Sequence, residues 1–79
     1  MIIVYVKISD NSPKEVVRFI RENAGVTQKE FANSLNLSKK TIEGYEYGTI
    51  NYSFEMFMKI CNKYGMEVIV QSKNYETRR

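Results

Sequence analysis

At 79 residues the chain has room for one compact domain and no second core, and a domain this small buries a limited share of its surface. Hydrophobic residues at 43% and charged residues at 27% exclude a disordered polyelectrolyte, and no apolar run approaches the roughly 18 residues of a membrane span. The net charge of +3 admits an anionic partner without requiring one.

Residues 2–8 are rich in β-branched and aromatic types, and the turn-formers Ser9-Asp10-Asn11 follow, which predicts a strand and its exit. The opening segment is too short for a signal peptide and lacks a small-residue cleavage site, so it is expected to belong to the mature protein. Ser12-Pro13-Lys14-Glu15 then starts a first helix with a capping Ser, a Pro at the first helical position and a Glu at the third. Val16, Val17, Phe19 and Ile20 form its apolar stripe and Gly25 ends it.

Thr27-Gln28-Lys29-Glu30 is a capping box that opens a second helix, with Phe31, Ala32 and Leu35 facing inward. Asn36 tolerates the left-handed conformation that ends a helix tightly. Ser38 caps a third helix that runs to Tyr47 and stops at Gly48. Ser53 caps a fourth, whose apolar positions 54, 57, 58, 60, 61 and 64 make a wide stripe closed by Gly65. Residues 66–72 alternate well enough to predict a second strand, and a polar tail closes the sequence. The expected fold is therefore mainly α with terminal β-strands: four helices forming one domain over 1–79, flanked by two strands paired antiparallel.

Only Asn36, Leu37 and Ser38 join the second and third helices, and a connection that short makes the helices cross steeply, as in a helix-turn-helix over Thr27–Tyr47. Ala32 must be small where the third helix crosses, Leu37 and Ile42 fill the wedge, and Tyr45 caps the core. The run Thr27-Gln28-x-x-Phe31-Ala32-x-x-Leu35-Asn36-Leu37-Ser38-x-x-Thr41-Ile42-x-x-Tyr45-Glu46-x-Gly48 resembles the signature of the phage-repressor and Cro-like family, also called the Xre type. That pattern carries Thr-Gln, Leu-Ala, Leu-Gly-Val-Ser, Thr-Ile, Trp-Glu and Gly at the same spacing. The likeness extends to Ile20-Arg21-Glu22-x-Ala24-Gly25 and to Phe54–Gly65, covering about residues 14–65. It implies a lambda-repressor-like core and a DNA-binding transcriptional regulator, a repressor above all, with helix 38–47 in the major groove.

Candidate base-reading residues follow from groove geometry. Lys39 and Lys40 occupy the first turn of the third helix, where an ammonium donates to guanine O6 and N7 or approaches a phosphate. Two lysines at a helix N-terminus oppose the macrodipole, a small cost that an anion opposite would offset. Thr41 and Glu43 are further candidates; Glu43 either accepts from cytosine N4 or repels phosphate. Gly44 stands where family members commonly carry a polar base-reading side chain, so it marks either close approach to DNA or weak sequence reading.

Phosphate candidates lie around these. The resemblance makes Gln28 the main clamp, and its side chain with nearby backbone N–H groups can hold a phosphate; a solvated helix-start residue is the alternative. Arg21 either reaches phosphate or pairs with Glu22 or Glu46. Ser38, Tyr47, Thr49, Asn51 and Tyr52 complete the set, the last four in a polar, aromatic loop suited to the sugar-phosphate backbone, with a partly buried ring as the other reading of Tyr52.

Edge-to-edge pairing of the strands across a two-fold axis would give a homodimer reading half-sites about 34 Å apart. The competing reading is an interaction module with this fold and little DNA specificity, holding a protein partner such as a toxin. An enzyme has little support: the chain contains no His, and its single cysteine, Cys61, falls on an apolar stripe. That cysteine cannot form an internal disulfide, which fits a reducing cytoplasm. No cofactor or metal site is expected.

Overall fold

The computed structural model describes residues 13–69, and they form four helices: α1 (Pro13–Ala24), α2 (Gln28–Ser34), α3 (Lys39–Tyr47) and α4 (Phe54–Lys63). The starts of α2, α3 and α4 are built by the residues expected there, and Ser12, the expected cap of α1, lies outside the described residues. Thr27 accepts from the Glu30 N–H at 3.1 Å while Glu30 accepts from the Thr27 N–H at 2.8 Å, a complete capping box. Ser38 and Ser53 accept from the N–H groups of Thr41 and Met56 in the same way.

The four helices also end alike. Gly25, Asn36, Gly48 and Gly65 all have positive φ. In each case the next N–H reaches back five residues: Val26 to Arg21, Leu37 to Ala32, Thr49 to Gly44 and Met66 to Cys61. This back-bonding satisfies carbonyls that the helix leaves open and turns the chain sharply. Asn36, at φ 59°, is the non-glycine case, and its short polar side chain keeps the cost of that conformation small.

Ten side chains make the core: Val16, Val17 and Ile20 from α1; Phe31 and Ala32 from α2, with Leu35 at its end; Ile42 and Tyr45 from α3; Ile60 and Cys61 from α4. α3 packs against both α1 and α2, and Ala32 lies buried beside the crossing. Leu37 packs on the core from the turn, half-buried. α4 is tied to α2 by Tyr64, whose ring stacks on Phe31 with centroids 5.0 Å apart and whose hydroxyl shares a 2.5 Å hydrogen bond with Ser34. The α4 stripe is narrower than expected. Ile60 and Cys61 are buried, Phe57, Met58 and Tyr64 are half-buried, and Phe54 is 74% exposed.

The mixed architecture with terminal strands is corrected. Helices are the only regular secondary structure among the described residues, so the fold is a helical helix-turn-helix arrangement. Of the expected strand 66–72, the described residues 66–69 are irregular. Met66 spends its N–H on the Cys61 carbonyl at 2.8 Å and packs against the core, so it finishes α4. Glu67, Val68 and Ile69 follow exposed, and no other described segment forms with them the ladder that a strand requires. Alternation describes a strand only when a second strand lies beside it. Residues 2–8 and 70–72 lie outside the described residues.

Candidate nucleic-acid interface

One carboxylate locks the geometry of the site. Glu46, on α3, is 8% exposed, and it accepts from Arg21 of α1 through Nε at 2.6 Å and a terminal nitrogen at 3.2 Å. Gln28, the first residue of α2, donates to the same carboxylate at 3.1 Å. The remaining terminal nitrogen of Arg21 donates to the Val26 carbonyl at 2.9 Å. The hydrogen bonds to Glu46 push the Arg21 pKa up against the opposing effect of burial, so the guanidinium stays charged. Three helices thus share one charge-assisted knot, and the angle of α3 is set from both sides.

The knot decides how two expected phosphate ligands stand. Arg21 forms the ion pair with Glu46, one of its two expected partners, and uses three of its five N–H donors within the chain. Gln28 is half-buried and held by Glu46, so its amide is oriented in advance and keeps a second N–H. Glu46 entered the sequence reading as a member of the family motif and as Arg21's possible partner, with no task of its own. Its burial was hidden because a lone Glu near a helix end reads as a solvated residue.

Along α3 the buried side is made by Ile42, Tyr45 and Glu46, and at about 100° per residue this turns Lys40, Glu43 and Tyr47 away from the core. Lys39 lies exposed beside them and meets Glu43 at 3.6 Å, one turn on. Both partners are well exposed, so the pair is weak and readily exchanged for another acceptor. Lys40 is exposed, and the first turn of α3 holds no acidic residue. Thr41 is half-buried, with its hydroxyl on Ser38 at 2.9 Å, and Ser38 is occupied as the helix cap.

In the following loop Tyr47 is 71% exposed, and Thr49 and Asn51 are exposed. Tyr52 differs. Its hydroxyl donates to the Pro13 carbonyl at 2.6 Å, its ring packs edge-on against Tyr45 at 5.3 Å, and it is half-buried. Burial first, and the nearby Cys61 thiol second, push its pKa above the ordinary 10.0. It anchors the loop to the start of α1 and has its hydroxyl committed there. Lys14, absent from the sequence expectations, lines a shallow recess with Tyr47, Gly48 and Asn51. It is 33 residues from the nearest of them, Tyr47, so no local pattern announces it.

Gly44 has a neighbour that neither expectation included. It lies two residues from both Ile42 and Glu46, hence roughly opposite the core around the helix, and yet it is buried. Ile50 covers it. A Cβ at position 44 would sit 2.4 Å from Ile50 Cδ1 and 2.6 Å from Cγ1. The glycine makes room for this isoleucine, which the sequence reading passed over although it is the apolar member of an otherwise polar loop.

The chain matches the family described as Helix-turn-helix domain over residues 15–68. It belongs to the helix-turn-helix domain family. No curated protein and no solved structure is significantly similar to it. In this helix-turn-helix protein α2 and α3 are the motif pair. Among the described residues no helix is long and apolar enough to cross a membrane, and no cluster of three His, Cys, Asp or Glu side chains is placed to hold a metal. Cys61 is buried in the core, and burial pushes its thiol above the ordinary 9.0.

Proposed function

We propose that this protein is a sequence-specific DNA-binding transcriptional regulator of the phage-repressor and Cro-like type, acting in the cytoplasm as a repressor. The observation that carries the reading is a basic first turn, Lys39 and Lys40, on the outward side of a helix fixed from both flanks through Glu46. Lysines there gain the phosphate field and reach guanine edges, while the oriented Gln28 amide and the exposed Tyr47, Thr49 and Asn51 lie beside the groove for the sugar-phosphate backbone. One helix touches only a few base pairs, so a homodimer on a two-fold site supplies the remaining discrimination. Occupying such a site blocks transcription without any chemistry at the protein.

Binding of the full chain to random duplex DNA, followed by fluorescence anisotropy against salt, tests this. Neutralising about four phosphates predicts a loss on the order of 100-fold between 50 and 200 mM monovalent salt. Lys40→Ala lowers the log–log slope by about one and leaves the helical circular dichroism unchanged. Absence of salt-dependent binding would favour the other reading, a protein-docking or antitoxin-type module, for which Tyr47 at 71% and Phe54 at 74% exposure supply an aromatic surface.

A further inference from the structure

The exposed side of α3 is interrupted by one apolar group that does not come from the helix. The Gly44 carbonyl accepts three successive N–H groups, from Gly48 at 2.9 Å, Thr49 at 3.0 Å and Ile50 at 3.1 Å. This winds the chain back on the helix end, with Gly48 in the left-handed conformation at φ 84°. The third of these bonds lays Ile50 across Gly44, where even its Cβ would stand 3.0 Å from a methyl built on the glycine. Ile50 therefore fills the space that a side chain at position 44 would occupy. It keeps 42% of its surface exposed, over a glycine one helical turn on from Lys40, and lines a shallow recess with Tyr47.

We propose that Ile50 is a specificity-determining residue, substituting for the missing side chain at position 44 and packing its exposed methyl groups on thymine C5-methyl groups in the major groove. The proposal rests on the DNA-binding reading and deepens it. Its chemistry follows from what the groove offers. Every base edge there presents hydrogen-bonding atoms except for one apolar feature, the thymine methyl. An isoleucine has no donor or acceptor, so placing it against guanine or cytosine edges strips water from polar atoms and returns nothing. Against a methyl group it buries apolar surface on both sides. A β-branched side chain wedged over a glycine has little rotational freedom to lose on binding.

The test starts from duplexes recovered by selection from a random pool with the full chain. Each thymine of the recovered site is replaced in turn by deoxyuridine, which keeps the pairing edge and lacks the methyl. Wild-type binding is expected to weaken about three- to fivefold at one or two thymines per half-site, the scale of one buried methyl group. Ile50→Ala loses that sensitivity at those positions, whereas Lys40→Ala binds more weakly overall and keeps it. Insensitivity of the wild type to every deoxyuridine overturns the proposal with no variant needed, and so does full sensitivity retained in a folded Ile50→Ala protein. Recovery of no sequences together with no salt-dependent binding to random duplex overturns the DNA-binding reading itself, a result distinct from binding without methyl discrimination.

Discussion

A carboxylate buried as deeply as Glu46 is tolerable only where donors replace its lost water, and here Arg21 and Gln28 supply three hydrogen bonds from two other helices. Removing Arg21 leaves the charge without its main partner. Arg21→Met is therefore expected to cost about 3 kcal/mol in denaturant unfolding, at the lower end for broken buried pairs because the arginine keeps some contact with water. Arg21→Met with Glu46→Leu should recover much of that loss, since no buried charge remains, and a double variant no better than the single one would show the pair to be unimportant. At this scale the sequence was informative about types and partly silent about partners. Ser38 was identifiable as a cap because that task follows from position at a helix start. Arg21 and Glu46 are 25 residues apart, so their pairing is decided by how α1 and α3 pack. Tyr52 reaching Pro13, 39 residues away, is the same case.

The helices were legible nearly to the residue, because their ends depend on local chemistry: a hydroxyl at each cap from Thr27 to Ser53, and a glycine or Asn36 where φ turns positive. The expected strand 66–72 failed over its described part for the opposite reason. Its pattern is real, but a strand is a relation between two segments, and at Met66 the closing bond of α4 takes the backbone first. Gly44 shows a subtler limit. Its value cannot be judged from helix propensity, where glycine costs about 1 kcal/mol against alanine, because the reason for it is Ile50, six residues on.

At the scale of the whole molecule, two protons among the described residues link stability to pH. Tyr52 and Cys61 both titrate higher in the folded chain than their ordinary 10.0 and 9.0, mainly through burial. The folded state thus holds these protons after the unfolded state has released them. Their contribution is complete below about pH 9 and is lost as pH rises through the unfolded and then the folded values. Thermal melts between pH 7 and 11 should show a plateau followed by a fall, and Cys61→Ala should move the onset of the fall toward the tyrosine range. A fall with the same onset in that variant would assign the effect elsewhere.

In the proposed complex, a helix held by Glu46 turns its first turn, and the loop folded back on it, toward DNA. Amide chemical-shift mapping of the full chain on adding duplex DNA at low salt addresses this claim residue by residue. The predicted result is a continuous perturbed surface through Gln28, Lys39, Lys40, Glu43, Tyr47 and Ile50, with the α4 residues Phe54 to Lys63 nearly unmoved. Perturbation confined to α4, or none at all, would contradict it.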